Sequence, residues 1–255
     1  MSDFDRNIAA RGSYAERAVA IDAGLRAYMV RVYNYMALGL GVTGAVAWFA
    51  YQAAGGDAIR RTAGGFVGLT SFGQTIFGGY TPILLMLLTL GLVFFLSFRI
   101  DRLSPSTAFA LFLGYAGLLG LSLSTILFTY TGVSVTRVFF ISAATFGAMS
   151  LYGYTTKRDI SAWGSFLMMG LLGLIVASIV NIFLASSAMQ FIISCVGVLI
   201  FVGLTAYDTQ QIKEIYDVND DGTVSGRKAI MGALRLYLDF INLFIMMLQL
   251  FGDRK

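Results

Sequence analysis

Long apolar stretches with almost no charge inside them constrain this chain more than any other feature. Six of them are residues 33–54, 80–98, 105–128, 135–154, 161–184 and 189–207. A helix rises 1.5 Å per residue, so about twenty residues cross the roughly 30 Å of a bilayer's hydrocarbon core. Their one charge, Arg137, lies near enough to an end for its side chain to reach water. The pattern therefore predicts an all-α integral membrane protein.

A seventh apolar stretch, residues 234–251, is shorter and more polar than the other six. It contains Arg235, Asp239, Asn242 and Gln249. Charged groups in membrane spans usually face the interior of a helix bundle or water rather than lipid. We therefore expect the other helices to shield the seventh from lipid.

The composition excludes several kinds of catalytic site. Only 13% of the residues are charged, no histidine is present, and the single cysteine, Cys195, lies in an apolar stretch. Without histidine there is no His-based metal site and no Ser-His-Asp triad, and one cysteine gives no disulfide framework. No serine lies in a G-x-S-x-G motif. We predict that the protein is not an enzyme and holds no tightly bound cofactor.

The basic residues predict the orientation. A net charge of +4 is expected from basic cytoplasmic loops of a membrane protein, not from a nucleic-acid site. The N-terminal segment and every second loop hold most of the basic residues, whereas the other loops hold Arg60, Arg61 and Arg137. This asymmetry predicts a cytoplasmic N-terminus. The basic side comprises Arg6, Arg11, Arg17, Arg26, Arg31, Arg99, Arg102, Lys157, Arg158, Lys213, Arg227 and Lys228.

Residues 1–28 are predicted to form a cytoplasmic segment ahead of a membrane domain spanning residues 29–255. The segment lacks the short apolar core and the cleavage site of a signal peptide. Apolar side chains between Tyr14 and Val32 recur at helical spacing, which indicates a helix at the membrane interface. The alternative is a disordered start up to about Arg11.

Two aspartates in the apolar stretches are the first candidates for function. Asp208 ends the sixth stretch and Asp239 lies early in the seventh, so both fall in the cytoplasmic half of the membrane and can meet. Buried acids in membrane spans are functional candidates by default. The structural alternatives are a solvated helix end for Asp208, and for Asp239 an ion pair with Arg235 or a hydrogen bond with Asn242.

A loop between the last two stretches resembles half of a calcium-binding EF-hand. Asp217, Asn219 and Asp221 have the spacing of its first ligands, and Gly222 takes the place of its turn glycine. The twelfth position should be a bidentate glutamate, but here it is Lys228. A polar turn is therefore favoured over a metal site, with a weak calcium site as the alternative.

Three segments of the chain resemble the bacterial branch of the Bax inhibitor-1 family. They are residues 147–159, GAMSLYGYTTKRD; residues 201–213, FVGLTAYDTQQIK; and residues 233–244, ALRLYLDFINLF. The resemblance covers nearly the whole chain from about Ala27. It implies seven transmembrane helices, with six surrounding a central and more polar seventh, in the bacterial inner membrane.

The resemblance also implies a function for the two aspartates. It implies a pH-sensitive calcium leak governed by a hydrogen-bonded pair of aspartates, which map to Asp208 and Asp239. An arginine near the end of the second span latches such a pair, and the candidates are Arg99 and Arg102. Calcium is then the permeant ion, and membrane lipid surrounds the protein. Some relatives are instead linked to modulating a membrane protease, so an interaction protein is the alternative function.

Two further expectations concern the chemistry of the pair. Two like charges in a partly dry site cannot both be held cheaply, so the pair is expected to share one proton in the closed state. Intramembrane aspartyl hydrolysis also needs two aspartates on adjacent helices. The sequences around Asp208 and Asp239 lack the glycines expected of such a catalytic pair, so hydrolysis ranks below transport.

Overall fold

The computed structural model describes residues 3–62 and 65–255, with side chains described for residues 22–59 and 67–255. In chain order its elements are α1 (Asp3–Ala54), β1 (Arg60–Thr62), β2 (Gly65–Val67), α2 (Ser71–Phe77), α3 (Thr81–Arg99), α4 (Pro105–Thr129), α5 (Gly132–Thr155), α6 (Ser161–Leu184), α7 (Ser187–Glu214) and α8 (Gly222–Phe251). Side chains up to residue 21, and with them most of the predicted interfacial helix, lie outside the described residues.

Seven helices in the described part of the chain are long and apolar enough to cross a membrane. They are α3 to α8 and the part of α1 that begins at Asp22, with mean hydropathies between 1.2 and 2.5. Exposed Leu, Ile, Val and Phe side chains cover their outer faces, and helices satisfy their own backbone hydrogen bonds in lipid. The prediction of an all-α, seven-span integral membrane protein is confirmed.

Several helix limits differ from those of the apolar stretches. The helix α1 runs through residue 28 without a break, α7 continues past residue 207 to Glu214, and α8 begins at Gly222 rather than near residue 234. The seventh span is therefore not short. Its extra turns start at Asp221, whose carboxylate accepts hydrogen bonds from the amides of Thr223 and Val224 at 2.8 and 2.7 Å.

The last helix is the most enclosed. In its apolar window 67% of the residues are buried, against 17–39% in the other six spans. It packs against α1, α4, α5 and α7, whereas α3 lies on α4 and α6 lies on α7. Small residues allow these close approaches: Gly153 lies on the backbone of Ala206, and Gly120 lies on the backbone of Thr43.

One end of the bundle carries a small hairpin. Strands β1 and β2 pair antiparallel, with Arg60 opposite Val67. Hydropathy does not predict strands of three residues, because they are too short to alternate. Gly55 and Gly68 have φ angles of 130° and 88°, conformations that favour glycine. The C-terminus packs at the same end, where Lys255 donates to the Tyr51 hydroxyl at 3.0 Å.

The opposite end, called the basic end below, holds the loops between α3 and α4, α5 and α6, and α7 and α8. Because α8 crosses the bundle, Arg254 and Lys255 lie at the hairpin end with Arg137, which pairs with Asp253 at 3.8 Å. Most basic residues still belong to the basic end. The charge asymmetry therefore still predicts that this end is cytoplasmic.

Single cysteines at the two ends are expected to react from opposite sides of the membrane. Tyr80, 88% exposed, lies at the hairpin end and Lys157 at the basic end. In a Cys195→Ser background, an impermeant maleimide should label Tyr80→Cys in right-side-out vesicles and Lys157→Cys in inside-out vesicles. The reverse result would place the N-terminus outside, and labelling from one side would contradict the spans themselves.

Candidate functional site

The structure brings Asp208 and Asp239 together. They lie on facing sides of α7 and α8, and their side-chain carboxyl groups are within hydrogen-bonding reach of each other. Asp239 is only 5% exposed and Asp208 is half-buried. Since α7 extends to Glu214, Asp208 lies more than one turn inside the helix rather than at a solvated end. Two carboxyl groups this close form a hydrogen bond only when one of them holds a proton.

Neither structural alternative for Asp239 is present. Its Oδ2 atom is buried and has no hydrogen-bond donor among the described residues. The Asn242 amide donates instead to the backbone oxygen of Leu238, at 2.8 Å. Within the described part of the chain, Arg235 forms no ion pair shorter than 4 Å with any carboxylate. Asp239 is therefore buried without a full set of local partners, an arrangement that is costly unless a proton or cation completes it.

Arg235 is the cation whose charge acts on both aspartates. Its guanidinium lies one turn before Asp239 on α8, is solvent-exposed, and influences Asp208 and Asp239 electrostatically. It also influences the hydroxyl of Tyr28, which is buried and has no partner among the described side chains. The sequence indicated Arg235 and Asn242 as supporting polar residues, whereas nothing in it indicated Tyr28.

The two predicted latch arginines lie farther away. Arg99 and Arg102 are exposed where α3 ends, and this turn docks on the first turns of α8. There the Arg227 Nε donates to the backbone oxygen of Leu103 at 2.6 Å. Twelve residues separate Arg227 from Asp239, or about 18 Å along a helix. In this structure Arg235, and neither predicted arginine, is the cation at the pair.

The contact between α7 and α8 continues towards the hairpin end as an apolar section. Met246 lies two turns after Asp239, and its side chain packs against Gly197, where an added Cβ would approach its Cγ and Sδ to 2.9 Å. Leu204 and Phe201, both buried, occupy the same stretch of α7 between Asp208 and Gly197. This section, called the apolar plug below, separates the aspartates from the far end of the contact.

A cluster of amides closes the far end. Gln190 on α7 donates to Gln249 on α8 at 2.7 Å, and the Ser194 hydroxyl donates to the same oxygen at 2.8 Å. Asn181 on α6 joins by donating to Gln190 at 3.1 Å. Sequence reasoning noted Gln249 but missed its partners. The spacing of Arg235, Asp239, Asn242, Met246 and Gln249, alternating three and four residues, is the signal that puts them on one helix face.

The loop before α8 uses its acidic residues locally. Asp217 accepts from the backbone and side-chain nitrogens of Asn219, both at 2.9 Å, and this amide hydrogen bond holds the Asp217 pKa below its ordinary value. Asp221 caps α8, and Lys228 pairs with Asp220 at 2.5 Å. Among the residues described, no three carboxylates or cysteines converge as a metal site. The loop has the polar-turn geometry that the sequence favoured.

Comparisons with known proteins agree with this architecture. The model of a family described as "Inhibitor of apoptosis-promoting Bax1" matches residues 25–255, which is nearly the whole chain. The matched residues include both aspartates and all seven spans, except the first three residues of the first span.

Relatives of similar length extend the same result. The chain is 43% identical to the inner membrane protein YbhL of Escherichia coli K12 over 235 residues, 91% of this chain and 94% of YbhL. It is 44% identical over 262 aligned residues to an uncharacterised protein of Caulobacter vibrioides, with both chains fully covered. A Rickettsia prowazekii protein is 46% identical over 234 residues, covering 92% of each chain. The chain is therefore a multi-pass membrane protein that belongs to the Bax inhibitor-1 family.

Proposed function

We propose that this protein is a calcium leak channel whose opening depends on the proton content of Asp208 and Asp239. The observation that carries the proposal is the contact between these two carboxyl groups in the interior of a seven-helix bundle. Acidic groups in membrane spans mark ion pathways and proton relays more often than structural contacts, because burying them is costly. A pair that shares a proton also changes its charge with pH.

The chemistry of the pair suits calcium as a permeant ion. Calcium prefers oxygen ligands and takes about 6–8 of them. Two carboxyl groups and the nearby Asn242 amide supply fewer, so water must complete the coordination. Weak binding favours conduction, because an ion that enters the pathway must also leave it. The proposal therefore makes calcium a passing ion, with no resident metal or other cofactor.

The contact between α7 and α8 supports a closed state in this structure. The aspartates towards the basic end and the amides of Gln190 and Gln249 at the hairpin end are polar, whereas the side chains of the apolar plug between them, Met246, Leu204 and Phe201, are apolar. Hydrophobic constrictions stop ion flow because water leaves them. We infer that opening separates α7 from α8 along this contact, and that charge repulsion in the aspartate pair contributes to the separation.

The relatives and the charge distribution support a proposal for the location. YbhL is named an inner membrane protein, and we propose the same membrane for this chain. We further propose that the basic end is cytoplasmic, so that the aspartates respond to cytoplasmic pH. The proposal includes no enzymatic step.

Calcium flux in liposomes tests the function. Purified protein is reconstituted into calcium-loaded vesicles, and a calcium indicator is added to the external solution. Calcium-loaded vesicles of the same lipid without protein, called empty vesicles here, are the control. We expect calcium release well above that of the empty vesicles. We expect a double Asp208→Asn, Asp239→Asn variant to lose the pH dependence of this release. Release equal to that of empty vesicles would contradict the channel. The alternative, an interaction protein that modulates a membrane protease, would then be tested by co-purification from inner membranes.

A further inference from the structure

A long groove runs between α1 and α5 on the outside of the bundle, away from the α7–α8 contact. Its volume is about 670 Å³, and Phe240 of α8 forms part of its floor. Its walls are apolar over almost their whole length, with Met29 and Leu40 on one side and Phe139 on the other. The hydroxyls of Tyr33 and Ser150, which lie midway along it, bond to each other at 2.7 Å. The middle of the groove is therefore largely apolar, and its other polar lining residues, Arg26 and Tyr154, lie at one end.

The dimensions of the groove suit one hydrocarbon chain. On α1 it extends from Arg26 to Leu40, fifteen residues whose ends are about 21 Å apart along the helix. The acyl chains of one leaflet fill about half of the roughly 30 Å hydrocarbon core, or about 15 Å. The volume spread over that length gives a mean cross-section of roughly 30 Å². A helix of about 10 Å diameter has a cross-section of roughly 80 Å², so an acyl chain is the closer match to the width of the groove.

The charged groups lie at one end of the groove only. Arg26 lines the basic end, is exposed, and has no carboxylate within 4 Å among the described side chains, Asp22 one turn earlier included. Lys213 does not line the groove but lies beside Tyr154, since its Nζ donates to the backbone oxygen of Tyr154 at 2.9 Å and lies 5.7 Å from the Tyr154 ring centre. Tyr154 itself lines the groove. Two cations therefore lie where an apolar groove meets the membrane interface.

We propose that this groove is a binding site for an anionic phospholipid, with one acyl chain in the groove and the phosphate between Arg26 and Lys213. A phosphate accepts charge-assisted hydrogen bonds from arginine and lysine. An acyl chain inside the groove makes van der Waals contacts with the concave wall that would otherwise be missing. The basic residues favour an anionic headgroup such as phosphatidylglycerol over a zwitterionic one. The site does not depend on ion conduction.

Filling the groove tests the acyl chain. Gly147 lines the groove, and a Cβ at this position meets no atom within 4 Å, so the side chain of Gly147→Leu starts in open space at the groove. Gly173 on the lipid-facing side of α6 has the same open surroundings, and Gly173→Leu is the matched control. In native mass spectrometry with added phosphatidylglycerol, the wild type and Gly173→Leu should each retain one lipid. We expect Gly147→Leu to lose it.

Removing the charge tests the headgroup. We expect the wild type to retain phosphatidylglycerol about fivefold better than phosphatidylcholine, the effect of about one basic residue near an anionic surface. Arg26→Gln should remove this preference and still bind one lipid, whereas Arg31→Gln, on an exposed position outside the groove, should keep the preference. Equal retention by Gly147→Leu and the wild type would overturn the site. A preference for phosphatidylglycerol that Arg26→Gln keeps would overturn the role of Arg26 in holding an anionic headgroup, and capture of a protein instead of a lipid would overturn the occupant.

Discussion

Replacing Asp239 by asparagine is expected to remove most of the pH dependence of calcium flux through the reconstituted protein. The pair that Asp239 forms with Asp208 changes its charge when it loses the shared proton. One such proton, coupled by about 1.4 kcal/mol to opening, changes the flux about tenfold across the mildly acidic to neutral range. Asparagine keeps a hydrogen bond but cannot titrate, so Asp239→Asn and Asp208→Asn should each flatten the profile. The measurement is liposome flux at matched protein density over a pH series.

An exposed acid provides the control for this experiment. Asp159 lies in the loop between α5 and α6, where the backbone amide of Ser161 donates to it and holds its pKa below the ordinary value. It therefore stays ionised throughout the range, and Asp159→Asn should keep the wild-type profile. If Asp208→Asn and Asp239→Asn both keep that profile as well, the two aspartates are structural contacts and the sensor is elsewhere.

The same assay separates the candidate latch arginines. Arg235 acts on both carboxylates in this structure, so Arg235→Gln removes a positive charge that favours their ionised form. The pH profile should therefore move to higher pH. The resemblance to the family instead implies that Arg99→Gln or Arg102→Gln has the larger effect. A shift in either of those variants that exceeds the shift in Arg235→Gln would contradict the assignment to Arg235.

Replacing Met246 by alanine is expected to raise calcium flux at every pH. The Met246 side chain fills the space against Gly197 in the apolar plug between α7 and α8. A fully buried methionine-to-alanine change typically costs about 2–5 kcal/mol of packing, and the loss is smaller here because Met246 is half-buried. If only about 1.4 kcal/mol of that loss falls on the closed state, the open population and the flux rise about tenfold. The aspartates are untouched, so the pH dependence should remain.

Two variants control for loss of packing in general. Met169, on α6, is 71% exposed, so Met169→Ala removes a similar side chain outside the bundle and should leave the flux unchanged. Met246→Leu conserves most of the volume and should stay close to the wild type. Unchanged flux in Met246→Ala, with a monodisperse and thermally stable protein, would show that the plug does not close the pathway.

The seven spans were predictable from the sequence because lipid leaves few structural choices. A run of about twenty apolar residues must form a helix, since the hydrocarbon core offers no other partner for its backbone. The limits of α7 and α8 were not predictable in this way. Beyond the apolar runs, α7 continues as polar turns to Glu214, and α8 begins with polar turns at Gly222. Hydropathy does not predict helical turns that lie in water. The short β1–β2 hairpin was not predicted, because strands of three residues are too short to show an alternation of apolar and polar residues.

The sequence placed Asp208 and Asp239 on neighbouring helices in the same half of the membrane, but it did not determine that they touch. Whether two helix faces meet depends on rotation about each axis, which packing determines. Here Gly232 lies against Ile212 and Gly197 lies against Met246, and these small-to-large contacts bring the faces that carry the aspartates together.

The choice among the arginines shows the same division. The resemblance to the family offered Arg99 and Arg102 as a latch, and the spacing around Asp239 offered Arg235 as its ion-pair partner. The sequence does not decide among them, because a cation's position along the chain does not fix its distance from a carboxylate on another helix. The tertiary structure places Arg235 near the pair and the other two near the start of α8. The apolar runs determined which segments cross the membrane, and the charged residues within and between them supplied the candidates for function. Only the packing of α7 on α8 decided which candidates share a site, because side-chain distances in a bundle depend on helix rotation and depth.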